Sequence, residues 1–267
     1  MPIQVDSEIR VFSQDAFHSL ADKILGIVFD VHNSFGCLMN EDVYKQAICA
    51  RCESAGIVPA RREIKILVSY LDFQKWYYMD LLFVCGLMLE GKVVEKLTKT
   101  HYAQALHYLL LTGMRHGLLV NMRSGKVEKQ YISTTLDLEQ RRRYVVWDSE
   151  WLSLNDASQR LRTIFTKLLD DWGAFLQLAL YRDAIIHFFG GPERVLRGIP
   201  IYDKGVEVGS HMLCQLADDT ALALTALKEG QGAMRFHLQR FLSHTRLRSM
   251  QWINMDNHDL TFRTLVR

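Results

Sequence analysis

Hydrophobic residues recur at helical spacing in the first part of the chain. Ser13 is a plausible N-cap, and the apolar positions that follow lie three or four residues apart: Phe17, Leu20, Ala21, Ile24, Val28 and Val31. This pattern predicts an amphipathic helix that ends near Gly36. A second helix is predicted from about Asn40 to Ala55, where Gly56 provides a stop signal.

Shorter patterns predict strands after the two helices. Residues 63–70 alternate and are rich in β-branched side chains, which is typical of a strand. Two apolar runs, one with Asp80 and one with Glu90, flank a break at Cys85-Gly86 and predict paired strands. A helix, a buried strand and an edge strand are then predicted at residues 99–111, 116–122 and 126–133. The order α-α-β-β-β-α-β describes an α/β domain of about 130 residues.

The pattern then begins again, which indicates an internal repeat. Gly173 to Ile185 align with Gly36 to Ile48 at a distance of 137 residues, and Trp252 to Met255 align with Leu119 to Met122 at 133 residues. We interpret the chain as a tandem duplication of one α/β unit. The predicted divisions are a first domain over residues 1–138, a linker over 139–156 and a second copy over 157–267.

The two copies differ in their polar residues. The alignment places His211 opposite Asp80, Leu224 opposite Glu90, Ala226 opposite Lys92, His237 opposite Gln104 and Leu178 opposite Glu41. The second copy is therefore predicted to keep the fold without the charged groups, since apolar residues can replace a buried charged site at little cost. It would serve as a packing partner, a pseudo-dimer mate or a binding surface. A site formed by His211 and His237 is the less favoured alternative.

Composition sets broad limits on the class of protein. The 267 residues are 49% hydrophobic and 23% charged, which is typical of a globular protein, and the net charge of +2 gives no strong nucleic-acid signature. There is no apolar run of membrane-spanning length and no apolar signal segment. Five scattered cysteines do not suggest a disulfide framework: Cys37, Cys49, Cys52, Cys85 and Cys214. We expect a cytoplasmic protein with reduced thiols, no membrane partner, and buried helical cysteines at the CxxC of residues 49–52.

The most informative chemistry lies between residues 76 and 104. Asp80 precedes the triplet Glu90-Gly91-Lys92 by ten residues. Alternate residues of a strand share a face, so Glu90 and Lys92 point the same way, and Asp80 on a neighbouring strand would bring a second carboxylate to the same point. Two oxygen ligands on a sheet suit a hard divalent cation such as Mg²⁺ or Mn²⁺. The alternative is a surface hairpin with solvated charges.

Two further clusters have a functional and a structural interpretation. The basic run 141–143 could contact a phosphate backbone, but a solvated linker is the favoured interpretation. The aromatic run Trp76-Tyr77-Tyr78 could stack on bases, but core or strand packing is favoured.

The first half of the chain resembles the GxxExxY family of the PD-(D/E)XK nuclease superfamily. Four segments carry the resemblance in the family's order: the helix 24–32 with Gly36, the naming motif at 38–44, Asp80 with Glu90-Gly91-Lys92, and the helix 101–109 with Gln104. Leu38 replaces the glycine of the naming motif, and Gly91 stands where an apolar residue is usual. The resemblance covers roughly residues 15–135 and extends weakly over 157–262.

The resemblance implies an α/β fold of two tandem restriction-endonuclease-like units, each a central mixed β-sheet flanked by helices. It implies a nuclease that hydrolyses phosphodiester bonds with Mg²⁺ or Mn²⁺, active in the first copy only, with nucleic acid as partner and DNA favoured. Asp80, Glu90, the Gly91 carbonyl and Glu41 would form the metal site. Lys92 would orient the attacking water, and Gln104 would contact the lysine, the water or the scissile phosphate.

Two other functions compete with the nuclease. One is a catalytically inactive nuclease-fold protein that binds nucleic acid, or a protein partner through the second copy. The other is an α/β scaffold unrelated to nucleases. The near-neutral charge and the missing site of the second copy favour the binding module to some degree.

Overall fold

The chain folds into two compact units in a computed structural model that describes residues 2–267. The first unit spans Met1–Leu138 and the second spans Glu139–Arg267. Each has its own six-stranded mixed sheet with helices packed against it, so the expected α/β architecture is confirmed. Over residues 2–267, no helix has the length and apolar character needed to cross a membrane.

The first unit follows the predicted order of elements, with one additional short strand at its start. Its elements are β1 Ile3–Val5, α1 Gln14–Phe35, α2 Glu41–Ser54, β2 Ala60–Tyr70, β3 Phe73–Phe83, β4 Leu87–Lys92, α3 Lys99–Thr112, β5 His116–Asn121 and β6 Glu128–Ser133. The sheet order is β1-β2-β3-β4-β5-β6, and only β4 and β5 pair in parallel. Helix α3 is the crossover that this parallel pair requires.

Local sequence explains where the first two helices begin and how they pack. The Ser13 side chain accepts a hydrogen bond from Ala16 N and caps α1, and Asn40 caps α2 in the same way. One face of α1 joins α2 and the sheet in a hydrophobic core whose members include Ile24, Val28, Ile48, Leu89 and Leu118. This core fixes α2 beside the central strands, where the candidate site lies.

Two structural expectations for the first unit have different outcomes. Cys49 and Cys52 are buried on α2, as predicted, and burial raises the pKa of both thiols. The aromatic run lies within β3, but Trp76 and Tyr78 are about half exposed. The favoured interpretation of core or strand packing therefore holds for these two residues only as strand membership, because they are not part of the core. Tyr77 is half-buried and packs on the ring of His107.

The second unit repeats the helix-and-strand order of the first. Helix α4 Leu138–Arg141 begins at the last residue of the first unit, and the further elements are β7 Val145–Glu150, α5 Asp156–Trp172, α6 Leu178–Phe188, α7 Pro192–Val195, β8 Leu196–Asp203, β9 Val206–Ala217, β10 Thr220–Thr225, α8 Gln231–Ser243, β11 Ser249–Asp256 and β12 Asp259–Val266. The sheet order is β7-β12-β11-β10-β9-β8. The central parallel pair is β10 and β11, again connected by a helix.

The predicted linker at 139–156 is instead part of the second unit. Strand β7 lies within it and pairs in parallel with β12 at the edge of the sheet. Arg141 is buried rather than solvated, and its guanidinium donates to the Trp172 carbonyl at the end of α5. Arg142 donates to the Asp171 carbonyl, and Arg143 pairs with Glu139. The local pattern did not reveal this because β7 is short and lies at an edge.

Two local motifs occur at equivalent places in the units. The hydroxyl of Tyr44 donates to the Gly36 carbonyl at 2.5 Å, and Tyr181 donates to the Gly173 carbonyl at the same distance. Asn121 bonds the N–H and carbonyl of Val94, and Asn254 bonds those of Leu227. The sequence similarities that indicated a repeat therefore fall on matching structural positions.

Candidate active site

Strands β3 and β4 bring four of the predicted site residues together. The two strands pair at Leu81 and Leu89, and Asp80 and Glu90 are the next residues on each strand. The Gly91 N–H donates to Asp80 Oδ2 at 2.9 Å, and Lys92 Nζ lies 2.7 Å from Glu90 Oε1. The proposed surface hairpin with solvated charges is therefore wrong, because Asp80 and Glu90 are 6% and 1% exposed.

Glu90 is the most deeply buried charged residue of the cluster. Its Oε2 has no hydrogen-bond partner among the residues that the structure describes. Burial raises the pKa of Glu90, and the neighbouring Asp80 carboxylate raises it further, while the Lys92 ammonium opposes both effects. An unsatisfied buried carboxylate oxygen is costly, so this position favours a bound cation or a proton.

Lys45 on α2 adds a second ammonium that sequence reasoning missed. Its Nζ lies 2.7 Å from Glu63 Oε1, 3.0 Å from Asp80 Oδ1 and 3.5 Å from Glu41 Oε1. Burial lowers the pKa of Lys45, but the Glu63 hydrogen bond and the Asp80 charge outweigh it, so its pKa lies above the ordinary value. The available signal was the spacing of Glu41 and Lys45, four residues apart on one helix face.

Glu63 also joins the cluster through an unusual backbone conformation. Its register on β2 places it opposite Asp80, between the pairs Arg62–Leu81 and Ile64–Met79. Its φ is 52°, in the left-handed region that costs a non-glycine residue about 1 kcal/mol. Such strain is often found at functional sites. The alternating pattern of residues 63–70 gave no sign of this departure.

The remaining predicted residues lie at the border of the cluster. Gln104 on α3 donates to the Tyr108 hydroxyl at 3.1 Å. Burial raises the pKa of Tyr108 to about 12, and the charges of Glu90 and Asp80 contribute to the increase. Within the described residues, Glu41 forms an ion pair with the cluster only through Lys45. Gln104 and Glu41 therefore line the site without bonding to Lys92 or Glu90.

The donor set fits a hard divalent cation, although the side chains are not arranged as a preformed cage. Within residues 2–267, no group of three or more His, Cys, Asp and Glu residues has metal-holding geometry. The oxygens of Asp80 and Glu90 are nevertheless of the type that Mg²⁺ and Mn²⁺ prefer, and Glu90 Oε2 has no hydrogen-bond partner within residues 2–267. When ionised, the four carboxylates and two ammoniums carry a charge of −2, which a divalent cation would neutralise.

The second unit has uncharged residues at the corresponding positions, but not the ones that the sequence alignment gave. Glu90 pairs with Leu119, and in the second unit Ala223 pairs with Trp252, so Ala223 and Thr225 stand where Glu90 and Lys92 stand. The strand pairs Leu81–Leu89 and Cys214–Leu222 likewise assign Leu213, not His211, to the position of Asp80. The predicted equivalents Leu224 and Ala226 are one residue out of register.

These apolar residues pack in the core of the second unit. Leu213 and Ala223 join a hydrophobic cluster with buried Leu242 and Trp252. His211 contacts the ring of Phe241, and His237 contacts that of Phe236, so the two histidines make separate ring contacts. The expected loss of the charged site from this unit therefore agrees with its packing.

Comparison with known proteins supports the superfamily resemblance of the first unit. A family model described as the PD-(D/E)XK nuclease superfamily matches residues 18–134. The matched range contains Lys45, Glu63 and all of the predicted site residues. Searches of curated proteins and of solved structures returned no match.

Proposed function

We propose that the chain is a metal-dependent nuclease whose active site lies in the first unit. The observation that carries the proposal is the buried convergence of Asp80, Glu90 and Lys92 inside the range that matches the nuclease superfamily. Among the residues that the structure describes, none bonds to Glu90 Oε2. A buried site of this kind stabilises developing charge better than a solvated one. The expected substrate is nucleic acid, with DNA favoured.

The chain's own residues have distinct roles in this proposal. Asp80 and Glu90 would hold Mg²⁺ or Mn²⁺, with the Gly91 carbonyl as a further ligand. The bound ion would supply a polarised phosphate and a water of lowered pKa. Lys92 is fixed by its bond to Glu90 and would orient that water and stabilise negative charge on the phosphate. Gln104 would contact the scissile phosphate.

We propose that the second unit is a degenerate copy of the same restriction-endonuclease-like fold. Its support is the repeated order of elements, the matching central parallel pair, and the equivalent tyrosine and asparagine motifs. The apolar residues at positions 213 and 223 leave it without carboxylate ligands there. A role as pseudo-dimer mate or as a surface for a protein partner stays a prediction.

The second candidate function is a nuclease-fold binding module without catalysis. The observation that favours it is Lys45, whose ammonium already forms ion pairs with Asp80 and Glu63. In such a protein the buried cluster would maintain the fold around α2, and nucleic acid or protein would bind elsewhere on the molecule.

Cleavage assays with matched variants separate the two functions. Labelled single-stranded DNA, double-stranded DNA and RNA are incubated with Mg²⁺ or Mn²⁺, or with EDTA. The test variants are Glu90→Gln and Lys92→Ala; the controls are Glu95→Gln and Lys96→Ala, which change the same residue types in the exposed loop after β4. The nuclease requires metal-dependent cleavage that both test variants lose and both controls keep. Folded protein without cleavage on any substrate would favour the binding module.

A further inference from the structure

We propose that the side-chain ammonium of Lys45 competes with the divalent cation for the Asp80 carboxylate and thereby weakens metal binding. This inference rests on the proposed metal site of the first unit. It assigns a regulatory role to a residue outside the predicted set of Asp80, Glu90, Gly91 and Glu41.

The contacts of Asp80 indicate which of its two partners a metal ion would displace. Asp80 Oδ1 is 3.0 Å from Lys45 Nζ, and Asp80 Oδ2 accepts the Gly91 N–H at 2.9 Å. Both carboxylate oxygens are thus engaged. The Gly91 amide is fixed in the β4–β5 ladder, whereas Lys45 lies at the end of a flexible side chain. The Lys45 contact is therefore the one that can yield to a metal ion.

Electrostatics supports direct competition between the two cations. A metal ion binds carboxylate oxygen at about 2.1 Å. An ion on Asp80 Oδ1 would therefore stand within about 5 Å of Lys45 Nζ if the lysine kept its present place. Lys45 is 8% exposed, so solvent would screen this repulsion only weakly. Removing the lysine charge should therefore strengthen metal binding.

The other partners of Lys45 allow it to release Asp80 without losing all of its ion pairs. Glu63 Oε1 lies at 2.7 Å and Glu41 Oε1 at 3.5 Å from the same ammonium. Both glutamates are more exposed than Asp80, with 44% and 38% of their side-chain surface accessible. Lys45 could therefore remain paired while Asp80 binds a cation.

The second unit shows what happens at this helix position without the carboxylates. Arg182 on α6 follows Tyr181, as Lys45 follows Tyr44, and its side chain is 57% exposed. Its ion-pair partner is the adjacent Asp183, at 3.7 Å. The cation is buried in the unit that has Asp80 and exposed in the unit that has Leu213, which ties the burial of Lys45 to the metal-site carboxylates.

The test measures Mn²⁺ binding to the full chain by titration calorimetry, without substrate. Lys45→Gln removes the charge and keeps a polar amide, and Lys45→Met is a second variant in case the first does not fold. Lys96→Gln is the matched control in an exposed loop. We expect Lys45→Gln to bind Mn²⁺ about tenfold more tightly than the wild type and the control to be unchanged. Adding Asp80→Asn to Lys45→Gln should remove the gain.

Thermal unfolding gives a second readout of the same competition. In EDTA, Lys45→Gln should unfold at a lower temperature than the wild type, because the carboxylates lose a buried partner. Saturating Mn²⁺ should raise the midpoint of the variant more than that of the wild type.

The outcomes distinguish this inference from the proposed function. Equal Mn²⁺ affinity in folded wild type and folded Lys45 variants overturns the inference and leaves the nuclease proposal standing. Binding by the variants alone supports the inference and contradicts metal-dependent catalysis by the wild type. Absence of Mn²⁺ binding in every folded variant overturns the inference together with the metal site on which it rests.

Discussion

Strands β2 to β6 of the first unit and β8 to β12 of the second are ordered alike, but the residues at equivalent places on the central strands differ in character. In the first unit the central strands carry Asp80, Glu90 and Lys92, together with a buried lysine from the neighbouring helix. In the second unit the corresponding strands carry Leu213 and Ala223, which pack under α8. The order of five strands and the central parallel pair are nevertheless the same in both units. The difference teaches that this fold does not need the charged cluster, so the cluster in the first unit calls for a functional explanation.

The largest expected effect is on cleavage activity, which should depend on the first unit and not on the second. Asp80→Asn should lower metal-dependent cleavage by at least about 100-fold, because it removes a charge that holds the metal. Leu213→Ala, at the equivalent place in the second unit, should leave cleavage per folded molecule unchanged. The measurement is the initial rate at saturating Mn²⁺, with circular dichroism to verify folding. Equal losses from the two variants would contradict an active site confined to the first unit.

A smaller effect should follow from placing a carboxylate in the second unit. Ala223→Glu puts a charge against the cluster that contains Trp252, without a lysine at position 225 to pair with it. We expect the free energy of unfolding of the second unit to fall by about 2–4 kcal/mol. Native-state hydrogen exchange of the β11 amides measures this unit by itself.

The control for that prediction is Ala233→Glu on the exposed surface of α8, where the change should stay within about 0.5 kcal/mol. If Ala223→Glu keeps full stability and gains Mn²⁺ binding, the apolar packing of the second unit is not what excludes a metal site.

The smallest effect compares two equivalent glycines. Gly36 and Gly173 end α1 and α5 with φ values of 70° and 76°, so alanine is strained at both. A Cβ at Gly36 would meet no atom within 4 Å, whereas one at Gly173 would lie 2.7 Å from Arg141 Cβ. Urea denaturation should show a loss of about 1 kcal/mol for Gly36→Ala and about 2 kcal/mol or more for Gly173→Ala. Equal losses would mean that the backbone near Arg141 can shift to accommodate the added methyl group without loss of stability.

Much of the first unit could be predicted from sequence because its signals are local. Helix α1 has a capping serine and a long apolar stripe, and α2 has a capping asparagine and a glycine just beyond its end. The shared face of Glu90 and Lys92 could be predicted from the alternation of side chains along a single strand. The repeat was visible because Tyr44 and Tyr181 each follow a glycine by eight residues. Each tyrosine hydroxyl donates a hydrogen bond to the carbonyl of that glycine, so the motif depends on local spacing.

The tertiary structure alone decided which distant residues meet. Lys45 and Glu63 join the site because α2 packs beside the central strands and β2 pairs with β3 in one particular register. The sequence alignment chose Leu224 instead of Ala223, and a slip of one residue on a strand exchanges its two faces. Strand β7 and buried Arg141 gave no local signal, since their positions depend on β12 and on the end of α5. Spacing along the chain fixed the helices and the motif, whereas strand pairing over long separations fixed the partners of each charge.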